Sequence, residues 1–391
     1  MRNVVIVSAT RTPIGDFGGS LKDLSATSLA MISIESVIQK AGIEKKTVDQ
    51  VIMGNCFEPL DQNVARIAAV KCGLPLETPG FTIVVNCASG MQAIICGIQA
   101  IRNGDVDVVI AGGVESMSNA PYILTTTRWG QRLQHGQLID MLWRAMQESP
   151  IGTGMGLTAE NLAERYGITR EEQDKFSFLS QQRACKAIRE GRFIEEITPV
   201  TVPQKKGEAK IVDTDEHPRP DVTLEKLAKL PPAFKKDGTV TAGNSSGLND
   251  AAAATILMSK EKAKEMGLKP LGKILGYAVV GVDPFYMGIG PVPATQQVLK
   301  KVSLSLSDIQ LIEINEAFAA QYLSCEKELG LNREIVNVNG SGIALGHPVG
   351  ATGCRLVVTL VHEMAKRDLT LGLATLCVGG GLGFSLVLER I

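Results

Sequence analysis

The chain has 391 residues, 40 basic and 41 acidic side chains and a net charge of −1, which is long enough for two or three domains with ample core. That balance gives no electrostatic footprint for nucleic acid or an anionic membrane surface, and no uninterrupted apolar run approaches the length of a bilayer span. Four histidines and eight cysteines with no CxxC pair offer no pattern for a zinc site, so no metal is expected.

The N-terminus, MRNVVIVSATRTP, reads as an opening strand, because its short apolar run is broken by Arg11 and Pro13 and does not match an export signal. A reducing cytoplasm with mostly free thiols is therefore the expectation. Thr82–Val85 (TIVV) is a strand candidate. In the following NCASGMQAIICGIQAIRNG, Met91, Ile94, Ile95, Ile98 and Ile101 recur at helical spacing, and Asn103 and Gly104 give a stop. DVVIAGG is a second buried strand.

Residues 118–248 look different. Charged and proline-containing stretches such as QKKGEAK and DEHPRP surround a strongly helical segment, TAENLAERYGITREEQDKFSFLSQQRACKAIREG, with acidic residues early in its second helix. This region reads as an inserted loop domain. TAGNSSGLNDAAAATILMS (241–259) returns to buried packing of small residues. Near the C-terminus, IVNVN (335–339) is read as a strand and GSGIALGHPVGATG as a glycine-rich connection. CRLVVTLVHEMAKR is read as a helix with Leu356, Val357, Leu360, Val361 and Met364 facing the core, and LATLCV as a strand. Strand–turn–helix–strand thus occurs near each end, which predicts an α/β duplication. The expected domains are 1–117 plus 249–268, 118–248, and 269–391.

Each turn carries a residue that can do chemistry. Cys87 falls where a strand ends and a helix begins, so the helix dipole and unpaired amides favour its thiolate; a buried structural cysteine is the competing reading. His347, in ALGHPVG, is held by Pro348 and flanking glycines, as an acid/base group or as a satisfied structural histidine. His362 falls with Arg355, Thr359 and Lys366 on the polar face of the next helix and is expected to be solvated. His135 and His217 have no supporting pattern. Cys377 ends a strand, and Gly379, Gly380, Gly381 and Gly383 follow it. Leu386 stands where a nucleotide-type GxGxxG would need its third glycine, so amides aimed at a developing oxyanion fit better. Asn315 and Glu316 follow an apolar run in IEINEAFAA; Asn315 is either a donor to an oxygen or water, or a helix N-cap. Cys56, Cys72, Cys96, Cys185, Cys325 and Cys354 read as structural.

Together, NCASGMQA, NEAFA, GHPVGATG and CVGGGLG, in that order, resemble the thiolase family. The likeness runs from VVIVSATRTPIGDFGG through AGGVESMSNAPY and TVTAGNSSGLNDAAAA to the C-terminus, and is close to the acetoacetyl-CoA branch. The resemblance implies duplicated βαβαβαββ halves in a five-layered α-β-α-β-α fold, an inserted loop domain that holds coenzyme A, and a homodimer or homotetramer. It implies that Cys87 is acylated, that His347 activates it, and that Cys377 is the second acid/base. Asn315, through a water, completes one oxyanion hole with His347, and the amides of Cys87 and Gly379 form the other. The matching coenzyme A contacts are Arg219, Ala233, Phe234, Ala242 and Ser246, with Met155, Met287 and Phe318 near the acyl end. Coenzyme A is then a substrate and no separate cofactor is implied.

One departure stands out. Acetoacetyl-CoA thiolases usually carry histidine just before the Met-Gly of the loop-domain motif, and here Gly154 takes that place. The preceding segment holds both tryptophans, Trp129 and Trp143. The expectation is an acyl group larger than acetoacetyl, whether branched, aromatic or carboxylated. Relatives that cleave benzoylsuccinyl-CoA work with a small zinc-finger partner, which the resemblance leaves as an option. A ketosynthase is the nearest alternative within the fold, but such enzymes lack a second thiol in the final glycine motif. A non-catalytic lipid-binding relative and a dithiol redox protein are the alternatives of other classes.

Overall fold

Apolar strands alternate with amphipathic helices twice along the chain, and each alternation closes into a sheet. The structure is a computed structural model and describes residues 2–391. The first half contains β1 (Val4–Arg11), β2 (Gly15–Asp16), α1 (Ala26–Ala41), β3 (Gln50–Gly54), α2 (Val64–Lys71), β4 (Gly80–Ile83), α3 (Ser89–Asn103) and β5 (Val108–Ser116). The next stretch carries a hairpin of β6 (Tyr122–Leu124) and β7 (Leu138–Asp140), then α4 (Met141–Gln147), α5 (Met155–Tyr166) and α6 (Arg170–Arg189). A second hairpin of β8 (Val200–Val202) and β9 (Lys210–Val212) and the short α7 (Leu224–Ala228) complete it. The chain rejoins the first sheet with β10 (Asn249–Ser259) and α8 (Lys260–Glu265). The second half runs β11 (Gly272–Gly281), α9 (Pro291–Val302), β12 (Leu311–Ile314), α10 (Ala319–Leu329), α11 (Gly342–Leu345), α12 (Val349–Lys366), β13 (Leu371–Val378) and β14 (Leu382–Glu389).

The strand order exposes the duplication. It is β4-β3-β5-β10-β1 in the first half and β12-β13-β14-β11 in the second, joined where β1 meets β11. β3 pairs with β5 in parallel, as β12 does with β13, and an antiparallel strand follows in each case. Gly54 lies beside Gly113, and Ile314 beside Thr375. One and two residues further on, this register equates Asn55 with Asn315 and Glu115 with Cys377.

Five layers result. α3 and α12 pack against each other between the sheets, in a core that holds Met91, Ile94, Ile95, Ile98 and Ile101 from one and Leu356, Val357, Leu360, Val361 and Met364 from the other. Each such buried side chain contributes about 1.5–3 kcal/mol by leaving water. α1 and α2 cover the outer face of the first sheet, and α9 and α10 that of the second. The two central helices approach closely. A Cβ on Gly90 would stand 2.9 Å from the Cys354 nitrogen, and one on Gly353 2.6 Å from that of Met91. Glycine at both places lets two helix N-termini converge at one end of the molecule.

Two expectations need correction. IVNVN forms no strand; its first residue ends a 3-10 turn at Arg333–Ile335, and it makes one bridge, Val336 to Ile312. The reason is Asn337, whose φ of 45° turns the chain and whose side chain replaces a strand partner. Its Oδ1 accepts from the Ile314 amide and its Nδ2 donates to the Ile314 carbonyl, both at 2.9 Å. The polar face of α12 is also not solvated. Arg355 and Thr359 are fully buried, and His362 is half-buried with Nε2 3.0 Å from the Ala9 carbonyl. Helical period separates polar from apolar positions but says nothing of what covers them, and here other charged residues do.

Candidate active site

Cys87 sits in a 3-10 turn, Asn86–Ala88, that leads into α3. Asn86 has a φ of 44°, in the left-handed region that asparagine tolerates better than most residues. That twist turns Cys87 out of the strand direction. The Asn86 side chain donates to the Gly379 carbonyl at 2.9 Å, tying the turn to the glycine-rich segment of the other half. Burial pushes the Cys87 thiol above its ordinary range, and the charge of Glu115 adds to this. The nearby amides of Gly379 and of Cys87 itself pull the other way. Helix position alone therefore does not give a resting thiolate, contrary to expectation; the sulfur needs a base.

His347 lies just before α12, 6% exposed. Its amide donates to Asn249 Oδ1 at 2.9 Å, and the Asn249 side chain donates in turn to the Gly15 carbonyl at 3.0 Å. Its Nδ1 is 2.7 Å from Thr352 Oγ1, and its Nε2 is 3.4 Å from Asn315 Nδ2. Burial, with the Arg355 charge in addition, lowers its pKa to about 3. The imidazole is thus neutral at physiological pH, and its protonated form is disfavoured until negative charge develops beside it.

Asn315 follows β12 directly. It is not an N-cap; Phe318 holds that position for α10. Its Oδ1 is buried with no hydrogen-bond partner, an orphan acceptor that a water beside His347 would satisfy. Cys377 is fully buried on β13, and its thiol is pushed well above the usual range, first by burial and then by the proximity of Cys87. The glycines after it form the β13–β14 turn. Gly380 and Gly381 have φ of 97° and 89°, which only glycine adopts without strain. A Cβ on Gly379 would come within 3.0 Å of the Met155 sulfur. The glycine run is thus a tight hairpin turn between β13 and β14.

Cys87 and Gly379 open onto a cleft of about 430 Å³ walled by Phe57, Met141, Met146, Ile151, Met155 and Val349, with Arg144 and Glu148 at its exposed side. Gly154 is the N-cap of α5, and a Cβ there would stand 3.1–3.2 Å from atoms of Gln147 at the end of α4. A second hollow, about 380 Å³, is lined by His217, Arg219, Lys226, Leu230, Ala242 and Ser245. Of the expected coenzyme A contacts, Arg219 and Ala242 are on its wall, and Ser246 lies between its lining residues Ser245 and Gly247. Ala233 is exposed, its amide bonded to the Val240 carbonyl. Phe234 packs edge-on against Phe318 at 6.0 Å. Met287 and Phe318 lie in the outer core of the second half, with Met155 and Phe234 against them, and line neither hollow. Among the described residues no cluster of three or more His, Cys, Asp or Glu could hold a metal ion, and no helix is long and apolar enough to cross a membrane.

Several supporting residues escaped the sequence reading. Glu115 is fully buried, with its pKa raised to about 7 by burial. It accepts from Asn55 Nδ2 at 2.9 Å and from the amides of Cys56, Phe57 and Gly350 at 3.1, 3.0 and 2.8 Å. One carboxylate thus clamps the loop bearing Phe57 to the first turn of α12. His217 pairs with Asp16, which Asn249 also contacts. The available signals were the duplication, which places Glu115 opposite Cys377, and the five-residue spacing from His347 to Thr352.

Residues 4–261 match the family model described as thiolase, N-terminal domain, and residues 268–390 that of thiolase, C-terminal domain. An acetyl-CoA acetyltransferase of Pseudomonas aeruginosa is 53% identical, and one of Escherichia coli 50% identical, each with full coverage of both chains. The crystal structure of the Bacillus anthracis acetyl-CoA acetyltransferase superposes with a TM-score of 0.98 at 53% identity, covering 100% of this chain and 99% of that one. That of human mitochondrial 3-ketoacyl-CoA thiolase in complex with CoA gives 0.96 at 44% identity, covering 100% and 98%.

Proposed function

The chain belongs to the thiolase family, and from that footing we propose how its own residues divide the work of acyl transfer. It is an acyltransferase that cleaves a 3-oxoacyl-CoA with coenzyme A, or runs the reverse Claisen condensation. In the cleavage direction Cys87 passes its proton to His347 and its sulfur attacks the 3-keto carbon. The bond between C2 and C3 breaks, its electron pair forms the enolate of acetyl-CoA, and the Cys377 thiol protonates that carbon. Coenzyme A then gives its thiol proton to the Cys377 thiolate and attacks the acyl group on Cys87. The Cys87 sulfur leaves and recovers its proton from His347. Splitting one hard step into two in this way predicts ping-pong kinetics.

The observation that carries this reading is that Cys87 and Gly379 line one cleft, with the Asn86 side chain tying the Cys87 turn to the Gly379 carbonyl at 2.9 Å, so that the backbone of both lies near the Cys87 sulfur. An acyl oxygen at that sulfur would lie beside both. The raised thiol and the neutral imidazole fit a site in which charge appears only during reaction. The enolate oxygen falls to His347 Nε2 and, through a water, to Asn315. The segment 118–248 is read as the coenzyme A domain, with Arg219, Ala242 and Ser246 at its hollow. The 430 Å³ cleft and its apolar wall support an acyl chain larger than acetoacetyl. Assembly as a homodimer or homotetramer belongs to the same reading, supported by the exposed apolar side chains of the β6–β7 hairpin, Trp129 at 91% and Leu133 at 85%.

The test is to incubate the protein with a 3-oxoacyl-CoA and free coenzyme A, follow acetyl-CoA, and locate the acyl group by mass spectrometry of the quenched enzyme. Acylation is expected on Cys87, and Cys87→Ser is expected to lose on the order of 10³-fold or more in kcat. Full thiolysis by that variant overturns the assignment.

A further inference from the structure

We propose that Thr352 is a positioning residue that fixes the proton of His347 on Nδ1 and so keeps Nε2 free to act. The proposal rests on the reading of His347 as the base. Thr352 is fully buried in the first turn of α12, and its Oγ1 is the hydrogen-bond partner of His347 Nδ1, at 2.7 Å. A hydroxyl has one proton to give. Here it is directed to the Pro348 carbonyl, 2.9 Å away and four residues back, the bond that threonine in a helix habitually makes. With its proton committed to the helix, Thr352 meets the imidazole as an acceptor, so Nδ1 must carry the ring hydrogen.

The far side of the ring agrees. Nε2 lies 3.4 Å from Asn315 Nδ2, a donor that meets a lone pair on Nε2. The other charged group bearing on the ring is Arg355, whose cation disfavours a second proton. Asn249 fixes the backbone of His347 through its amide and does not touch the ring. Ring orientation and tautomer therefore depend on Thr352. Without it, the neutral imidazole is free to place its hydrogen on Nε2, where it cannot accept a proton from Cys87.

The direct test is ¹⁵N NMR of histidine-labelled protein, with His347 assigned by loss of its signals in His347→Asn. The expected wild-type spectrum shows a protonated Nδ1 and an unprotonated Nε2; the opposite tautomer overturns the proposal without any change at Thr352. Thr352→Val keeps the shape and removes the acceptor. It is expected to lower kcat on the order of 10- to 100-fold, the usual cost of losing a residue that orients an active group, with KM for both substrates within about twofold and mixed tautomer signals. Thr352→Ser restores the oxygen and is expected to recover most of kcat. A valine variant with native kcat, or a serine variant as impaired as valine, refutes the role. Native activity in His347→Asn would instead refute the reading of His347 as base, a separate outcome from the tautomer measurement.

Discussion

At the scale of residues, the site couples groups that are individually ill-suited to react. Cys87 has its thiol pushed up by burial, and His347 is held neutral down to about pH 3. Neither is charged at rest, so the amides and Asn315 matter most when charge develops. Asn315 donates toward His347 Nε2 and leaves its Oδ1 without a protein partner. Asn315→Ala should lower kcat by about 10²–10³-fold, the typical cost of one oxyanion-hole donor, while KM for coenzyme A changes little; steady-state thiolysis separates the two. Cys87, His347, Cys377 and Asn315 drew attention in the sequence through four motifs in a fixed order, since local context alone left a structural cysteine, a structural histidine and a helix N-cap open. Glu115 did not, because its donors come from Asn55, Cys56, Phe57 and Gly350, the last 235 positions away. A buried carboxylate in a strand looks like any other acidic residue until the chain folds around it.

Elements set the shape of the cleft at Cys87. α4 and the turn after it roof Cys87, and the end of α4 rests against Gly154 at the start of α5. A side chain at position 154 crowds the side chain and backbone of Gln147, with contacts of 3.1–3.2 Å already at its Cβ. Gly154→His should therefore reposition α4 and restrict the cleft. Its kcat/KM for a long or bulky 3-oxoacyl-CoA should fall at least about tenfold relative to that for acetoacetyl-CoA, since pocket contacts of one or two carbons discriminate on this order. A substrate panel run on both proteins checks it, and an unchanged ratio removes α4 as a determinant. Helical period gave the central helices correctly, with α3 and α12 burying the side chains expected of them. The same reasoning failed at Asn337, where a side chain bonding to Ile314 replaced a strand ladder, and on the polar stripe of α12. Both failures involve polar groups satisfied by distant partners, which periodicity does not report.

At the scale of the whole molecule, a buried charged layer fastens the inserted segment to both halves. Arg11, at the end of β1, is fully buried. Its Nε donates to Glu196 Oε1 at 2.7 Å, and its two Nη groups donate to the Asp215 carboxylate at 2.6 and 2.9 Å. Glu196 also accepts from Thr359 on α12 at 3.2 Å, and Asp215 from the Ile14 amide at 2.9 Å. One guanidinium thus links the first sheet to the two ends of the segment that carries β8 and β9, and Glu196 extends the link to the central helix. Arg11→Met fills similar volume but leaves two buried carboxylates unpaired, which costs about 3–5 kcal/mol. Arg11→Lys should not restore this, because an ammonium cannot form the forked pair with Asp215 while also reaching Glu196. Thermal melts should show a lowered midpoint in both variants. Because Asp215 lies four positions before Arg219 in the hollow proposed for coenzyme A, KM for coenzyme A should rise while acylation of Cys87 by substrate survives in the folded fraction. Variants as stable as the parent would mean that the insertion is held by its apolar contacts alone, and that the charged layer serves some other end.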